Sequence, residues 1–411
     1  MARAGRVAGA VAAGAVAAGA AAGAVAVERA DRARRALPGL DPDGGYDVVP
    51  DEVLTVVARD GVRLHVEIDH PADSTRTAKG SGRHTPASGL TFVLSHGFTL
   101  SSKCWVFQRR ALVAAGHRVV VWDQRSHGQS SRSDAEHTTI EQLGHDLHDV
   151  IETVAPEGDL VLVGHSMGGM SVMSLGHHHP ELIRTRVRAV ALLATSAGGG
   201  GLTNLGLGPW VGVIVGRLGP RVLDRLADLT GLVGRARRIG RRVEDAMVEK
   251  YSYDSPVSHE LVRFTGEMIM STPFDVMSDF LGAIEALDER DHLGAFAGVE
   301  CLVVNGRGDL LTPPEHSEDI VARIPGCEHV LVEDAGHLVM LEHPDLVNQQ
   351  LLMVAERGVN AQAENVAVQR KPRVRRTITD LKRRRQVTRA KRAKGAKGAD
   401  GAKRVSAGGA A

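Results

Sequence analysis

The chain is poor in aromatic residues and in cysteine, and both shortages restrict what it can be. Only 3% of its 411 residues are Phe, Trp or Tyr, so its core is predicted to consist of small aliphatic side chains. The three cysteines, Cys104, Cys301 and Cys327, are odd in number and scattered, which excludes a disulfide framework and a cysteine metal site of the usual spacing. We expect them to be buried thiols. The hydrophobic share of 43% is ordinary for a globular protein.

Net charge is also nearly absent, at +1, but this balance hides two opposite parts. From Arg370 onward, 16 Lys and Arg stand against two Asp, which gives +14, so residues 1–369 carry −13. The stretch 360–411 lacks apolar periodicity and is predicted to be a basic, disordered tail. An anionic membrane surface or a nucleic acid could bind it, or it could be a solvated extension without a partner; specific nucleic-acid binding is not expected.

Long apolar runs are missing apart from one Ala- and Gly-rich segment, residues 1–36. No charged residue stands between Val7 and Val27, and a bilayer takes roughly 20 residues to span. Alanine and glycine are only weakly apolar, so a membrane anchor or uncleaved signal, a cleaved signal and a soluble extension all stay open. Membrane association through this segment is the favoured localisation; otherwise the chain would be cytoplasmic or exported.

Short, branched apolar runs recur along the rest of the chain and alternate with helical stretches such as 138–155 and 344–358. The segment 52–71 alternates around Asp60-Gly61 and predicts a β-hairpin. Buried runs separated by helices indicate a mostly parallel sheet covered on both faces. The runs predict strands at 90–95, 118–122, 159–163, 188–194, 301–305 and 329–333.

A mainly helical insert, 197–293, interrupts this alternation. A connection of this length needs structure of its own, and a cap over a binding site is the usual case. Its stretch GEMIMSTPFDVMSDFLGAI, residues 266–284, could line a pocket for an apolar group, or it could pack as an ordinary helix core.

The segment LVGHSMGGM, residues 162–170, places Ser166 between an apolar run and a helical stretch. Gly164 and Gly168 stand two residues to either side and remove side chains that would clash in a direct strand-to-helix turn. The serine is then exposed at the strand tip and at the positive end of the helix. A serine hydroxyl is a weak nucleophile, so it needs a base and an orienting acid. A tight glycine turn with a functionless serine is the alternative.

His337 and Asp309 each follow a predicted strand, where parallel-sheet enzymes keep their chemistry. Asp309 could accept a hydrogen bond from His337 and fix its tautomer, or it could simply cap the next helix. His165 adjoins the serine but cannot easily bend back to it. Five other histidines are interpreted as surface residues rather than as metal ligands: His145, His148, His177, His178 and His179.

The loop after the first core strand could supply hydrogen-bond donors to the site. The sequence SHGF at 95–98 ends a strand in His96 and Gly97, and the glycine lets the backbone turn sharply. The backbone amides of Phe98 and Met167 are the natural pair to hold a developing oxyanion.

These motifs together resemble the α/β-hydrolase superfamily from residue 52 to about 358. The resemblance implies an eight-stranded, mostly parallel sheet with helices on both faces, a core of 52–196 and 294–358, and a helical cap, 197–293, after strand 6. The superfamily's nucleophile maps onto Ser166, its acid onto Asp309 and its base onto His337, in the same chain order. Ser126 departs from the pattern, which usually has glycine there. The matching pieces are SHGF at 95–98, WDQRSHGQS at 122–130, GHSMGG at 164–169, NGRGDLLTP at 305–313 and DAGHLVMLEHP at 334–344.

A serine at this turn speaks against haloalkane dehalogenases and most epoxide hydrolases, which use aspartate. The sequence therefore predicts a serine hydrolase of carboxylic esters, lipid esters such as monoacylglycerols included, with no cofactor and no metal. Thioesters, lactones, amides or peptides, and cofactor-free haloperoxidase chemistry stay open, as does a non-catalytic, membrane-tethered binding module. The oligomeric state stays open as well.

Overall fold

A computed structural model describes residues 45–71, 89–199, 244–390 and 392. Within these ranges the strands form one sheet in the order β1-β2-β4-β3-β5-β6-β7-β8-β9. The strands are β1 Glu52–Val57, β2 Arg63–Asp69, β3 Thr91–Ser95, β4 Arg118–Trp122, β5 Leu160–His165, β6 Val187–Leu193, β7 Glu300–Gly306, β8 Glu328–Val332 and β9 Val374–Ile378.

The sheet is parallel from β4 to β9, as the buried apolar runs predict. All residues of β3, β5 and β7 are buried, because helices cover both faces of the sheet. The predicted hairpin is formed by β1 and β2, which are antiparallel and turn at Gly61 with a φ of +89°. Strand β2 then pairs antiparallel with β4. The carboxyl ends of β3, β5, β7 and β8 meet at one edge, which brings their loops together.

The helices follow from amphipathic patterns and local caps. In α2, for example, Leu143, Leu147 and Val150 bury one face, and the Thr139 side chain accepts a hydrogen bond from Gln142 N at its start. The named helices are α1 Val106–Ala114, α2 Ile140–Val154, α3 Met167–His178, α4 Pro180–Arg186, α5 His259–Ser271, α6 Phe274–Glu285, α7 Pro314–Arg323, α8 Val339–Glu342 and α9 Pro344–Ala363.

The described part of the predicted cap contains α5 and α6, and both stand between β6 and β7. The Ser258 side chain caps α5, and Pro273 separates the two helices. Met268 and Phe280 are buried with the rest of the apolar core. Residues 200–243 of the predicted cap lie outside the described residues.

The C-terminal segment differs from its prediction. The sheet has a ninth strand where eight were expected, and it comes from the stretch predicted to be disordered, 360–411: α9 continues to Ala363, β9 pairs in parallel with β8, and residues 381–390 are helical. The physical reason is that β8 offers an unpaired edge and the acidic body offers partners for the basic side chains, such as Glu328 for Arg376 and Glu318 for Arg375. Residues 391 and 393–411 lie outside the described residues.

Two further expectations concern the membrane and the thiols. The segment 1–36 lies outside the described residues, so its membrane association stays a prediction. Within the described residues, no helix has the length and apolar character needed to cross a bilayer. Cys104, Cys301 and Cys327 are buried, unpaired thiols, as predicted.

Candidate active site

Ser166 occupies a strained turn between β5 and α3. Its backbone angles, a φ of +51° and a ψ of −119°, are values that residues other than glycine rarely adopt. Hydrogen bonds hold the turn: Ser166 N donates to Leu193 O at 2.9 Å, and Ser166 O accepts from Gly169 N at 2.8 Å, Met170 N at 3.2 Å and Thr195 Oγ1 at 2.7 Å. The backbone is therefore fixed while the side chain faces a cavity.

The two glycines beside this serine are required by close backbone contacts. A Cβ on Gly164 would lie 2.4 Å from Gly168 O, and a Cβ on Gly168 would lie 2.1 Å from Ser95 O. Both distances are far below van der Waals contact and both obstacles are backbone. The G-x-S-x-G pattern thus lets β5, α3 and the end of β3 meet at Ser166.

His337 and Asp309 form a buried pair on the loops that follow β8 and β7. His337 Nδ1 lies 2.9 Å from Asp309 Oδ2. Asp309 Oδ1 accepts hydrogen bonds from Leu311 N at 2.8 Å and Thr312 N at 2.9 Å, while Oδ2 also accepts one from Thr312 Oγ1 at 2.9 Å. The carboxylate therefore orders its own loop and orients the imidazole, so both sequence interpretations of Asp309 describe part of what it does.

Ser166 and His337 line one cavity at the carboxyl edge of the sheet, next to α5 and α6. Ile269 of α5 and Ile284 of α6 belong to its wall, both from the stretch predicted to line a pocket. The polar lining comes from Ser166, His337, Thr312, Ser252, His165 and Thr99, and the apolar lining comes from Phe98, Leu100, Met170, Ile269, Ile284, Leu311 and Leu338. A small polar group can thus meet the serine while an apolar group packs against the wall.

The loop after β3 lies directly against the serine. A Cβ on Gly97 would be 3.1 Å from Ser166 Cβ and 2.6 Å from His165 Nδ1, so only glycine allows this approach. Phe98 follows in the cavity wall, and Met167 is the first residue of α3. The first N–H groups of a helix have no partner within the helix, which suits the Met167 amide to a donor role.

His96 and the loop after β4 hold the loop after β3 in its position against Ser166. His96 Nε2 accepts a hydrogen bond from Gln124 N at 2.9 Å, and burial lowers the pKa of His96 to about 4. In the same loop Ser126 has a φ of +65° and its Oγ accepts a hydrogen bond from Ser133 N at 2.9 Å. The position therefore has the left-handed backbone that the superfamily's glycine favours, and the serine partly compensates through its side chain.

Glu342 is a structural residue of the site that sequence reasoning missed. It is fully buried at the end of α8, and its carboxylate accepts hydrogen bonds from Gly336 N at 2.7 Å and Asp254 N at 3.0 Å, and also one from Ser255 N. Burial raises the pKa of Glu342. It joins the His337 loop to the segment that leads into α5. Nothing in its spacing separates it from an ordinary helix carboxylate, so no sequence signal pointed to it.

His165 also has a supporting position. Its Nε2 lies 3.1 Å from His337 O, and its ring meets the His337 ring edge-on at 4.8 Å between centroids. Complete burial, followed by the neighbouring His337, lowers the pKa of His165 well below its ordinary value. A neutral ring at this place holds the His337 backbone, consistent with the interpretation that it is not the base.

The C-terminal segment contacts the loop after β8, which carries His337. His343 Nδ1 lies 3.1 Å from Asp380 Oδ2, His343 Nε2 lies 2.9 Å from Asp334 O, and Arg384 pairs with the Asp334 carboxylate. Burial disfavours the charged His343 ring, but the bond to Asp380 and the charge of Glu342 outweigh it, so the pKa of His343 is raised. We call these contacts, from Asp334, His343, Asp380 and Arg384, the C-terminal clamp.

A mostly parallel sheet with a strained serine turn and a His–Asp pair at its carboxyl edge defines an α/β enzyme with its site at that edge. Residues 92–350 match the model of the alpha/beta hydrolase family. The chain belongs to the alpha/beta hydrolase family.

Individual relatives agree with this assignment. The chain is 27% identical over 281 residues to the esterase PIR7B of Oryza sativa subsp. japonica, which covers 65% of this chain and 96% of that esterase. The solved structure of a thermophilic esterase from Thermogutta terrifontis has a TM-score of 0.54 and 22% identity, covering 75% of this chain and 99% of the other. The enol-lactonase from Burkholderia xenovorans LB400 has a TM-score of 0.55 and 24% identity, covering 74% and 100%. These two structures share the fold.

Proposed function

We propose that the chain is a serine hydrolase that cleaves carboxylic esters through an acyl-enzyme on Ser166. One observation carries the proposal: the strained serine and the Asp309-oriented imidazole of His337 line the same apolar cavity. The similarity to an esterase over nearly that esterase's whole length supports it.

In the proposed reaction, Ser166 Oγ attacks the ester carbonyl and His337 Nε2 takes its proton. Asp309 accepts the Nδ1–H and stabilises the charged ring that forms. The amides of Phe98 and Met167 hold the oxyanion. The tetrahedral intermediate then breaks its bond to the alcohol, which leaves with the proton from His337. Water, deprotonated by the same ring, cleaves the acyl-enzyme and returns the proton to Ser166.

The cavity wall favours substrates with an apolar acyl group. Aliphatic and aromatic side chains from both the core loops and the cap surround the serine, and the described lining contains no Asp, Glu, Lys or Arg. We therefore propose esters of short to medium apolar acids as the substrate class, with lipid esters as its longer members. Burying each additional CH₂ group contributes about 0.8 kcal/mol, so kcat/KM should rise with acyl length until the wall is filled.

The test combines covalent labelling with ester turnover on the full-length chain. A fluorophosphonate probe should label the wild type, and Ser166→Ala should lose both the label and the hydrolysis of p-nitrophenyl esters. Ser278→Ala, an exposed serine on α6, is the matched control and should keep both. Folded wild-type protein that takes no label and hydrolyses no ester of any chain length would overturn the proposal.

The same experiment separates related chemistries. Thioesters, lactones and amides belong in the substrate panel, because the same three residues would serve them. Preference for one of these over every carboxylic ester would replace the proposed substrate class while keeping the roles of the three residues. A peroxide-dependent halogenation assay tests perhydrolysis in the same way.

A further inference from the structure

Six histidines gather at the end of α3 opposite to Ser166, far from the cavity. His177 and His178 end the helix, His179 follows, His145 and His148 come from the neighbouring α2, and His292 comes from the 3₁₀ helix Arg290–Phe296 behind the cap. Ring contacts connect them into one cluster, from His148 against His179 to His177 against His292. The sequence interpretation, a surface run at 177–179 and helix-surface residues His145 and His148, does not foresee that these groups meet each other and His292.

Two histidines on one side of the cluster approach the same carboxylate oxygen. His177 Nδ1 lies 3.0 Å and His292 Nδ1 lies 3.3 Å from the same oxygen, Glu289 Oε2. The Glu289 side chain is only 8% exposed. Both His177 Nδ1 and Glu289 Oε2 are buried and lack a hydrogen bond to any group in the described part of the chain. The two atoms lie close together but lack the alignment that a hydrogen bond needs. A buried polar atom without a hydrogen bond requires an explanation.

We propose that His177, Glu289 and His292 bind a divalent transition metal ion of the zinc class. Ligand atoms about 2.0–2.1 Å from a tetrahedral Zn²⁺ lie about 3.4 Å from one another, close to the 3.0 and 3.3 Å separations found here. Two imidazoles and one carboxylate suit Zn²⁺, Co²⁺ or Ni²⁺, whereas Ca²⁺ and Mg²⁺ prefer oxygen ligands alone. Water would complete the tetrahedron.

The place of the three ligands in the fold indicates a structural role. Glu289 N donates to Ala197 O at 2.8 Å and Gly198 forms a β-bridge with Asp288, so the outgoing and returning ends of the cap insertion pair here. His177 belongs to the core helix. A metal at this position would fasten the base of the cap to α3. The twelve residues of α3 separate it from Ser166 by about 18 Å, too far for a part in the reaction.

The neighbouring group of Glu141, His145 and His178 is the weaker candidate. Glu141 is 64% exposed and lies 3.9 Å from His145 Nε2, while His145 Nδ1 is already 2.9 Å from His179 Nε2. Its donors are therefore either solvated or hydrogen-bonded. The end of α3 favours a cation near both groups, because the helix dipole places partial negative charge there. The buried carboxylate distinguishes the site that we propose.

The experiment uses full-length protein treated with a chelator and dialysed, of which separate samples are titrated with Zn²⁺ and with Co²⁺. We expect one tightly bound ion per chain at the first equivalence, a tetrahedral Co²⁺ absorption in the visible range, and a rise in Tm of roughly 5 °C at a hundredfold excess of free Zn²⁺ over its Kd. Glu289→Gln and His292→Ala should each lose the absorption and the shift. His292 is half-exposed, so its variant should fold even if the Glu289 variant does not.

His145→Ala, in the neighbouring group, is the matched control and should keep the Co²⁺ absorption and the Tm shift. The proposal is overturned if the wild type shows neither, or if His145→Ala loses them while His292→Ala keeps them. The structural role is overturned if the chelated protein, still folded by circular dichroism, loses its ester turnover. Because metal binding is measured directly, the result does not depend on which reaction the chain performs.

Discussion

Replacing Asp309 by Asn should invert the protonation pattern of His337 while leaving the loop intact. The two backbone donors Leu311 N and Thr312 N both point at Oδ1, so the Asn oxygen must take that position and its NH₂ group must face His337 Nδ1. Nδ1 then has to accept, which puts the ring proton on Nε2. A protonated Nε2 cannot take the proton of Ser166.

The expected loss in kcat is ~10⁴-fold, as for the corresponding change in serine proteases, which corresponds to about 5.5 kcal/mol of transition-state stabilisation. Thr312 Oγ1 can reverse its role and donate elsewhere, so the fold should keep its Tm within a few degrees. The assay is the burst and steady-state release of p-nitrophenol at pH 7–8, with thermal unfolding measured alongside.

Asp319→Asn on α7 is the matched control, because its partly exposed carboxylate pairs only with surface arginine and should leave kcat unchanged. A folded Asp309→Asn protein with nearly normal kcat would refute the orientation argument. A collapse of the Tm with no separate kinetic effect would show that Asp309 serves only its loop.

Two further changes test the elbow and the C-terminal clamp. Gly168→Ala should lower the Tm by several degrees and abolish turnover, because the new Cβ would lie 2.1 Å from Ser95 O, whereas Gly282→Ala on α6 meets nothing within 4 Å and should be neutral or slightly stabilising. Asp380→Asn should lower the Tm most near pH 5–6 and least near pH 9. Because the pKa of His343 is raised in the folded state, its contribution to stability is complete below its unfolded-state pKa of 6.5 and is lost as the pH rises through the folded-state pKa. The pKa of Asp380 is lowered, so its contribution is lost only on acidification below its unfolded-state pKa of 3.8.

Thermal unfolding from pH 4.5 to 9 checks the second change, with the exposed Asp345→Asn as a control whose effect should be small throughout. An Asp380→Asn effect that is equal at pH 5 and pH 9 would contradict the assigned coupling to His343. Equal melting temperatures for the two glycine variants would contradict the contact that separates them.

The sequence predicted those features that short-range patterns encode. The buried strands needed only runs of branched apolar residues, and Ser166, Asp309 and His337 were singled out as the candidate site because each follows such a run. The ninth strand was missed because the arginines of Val374–Ile378 obscure its β pattern, and only the free edge of β8 with Glu328 beside it makes pairing favourable. Glu342 and the histidine cluster were missed for another reason, since their partners come from segments distant in the chain.

The ninth strand also bears on how this protein should be shortened. A fragment ending at residue 350, where the family match stops, would lose β9 and most of α9. The backbone N–H and C=O groups along the edge of β8 would then be unpaired. A second molecule with the same exposed edge strand could pair with it, and the sheet would continue from one copy into the next. Poor solubility of such a fragment would thus reflect a missing neighbour rather than a faulty core.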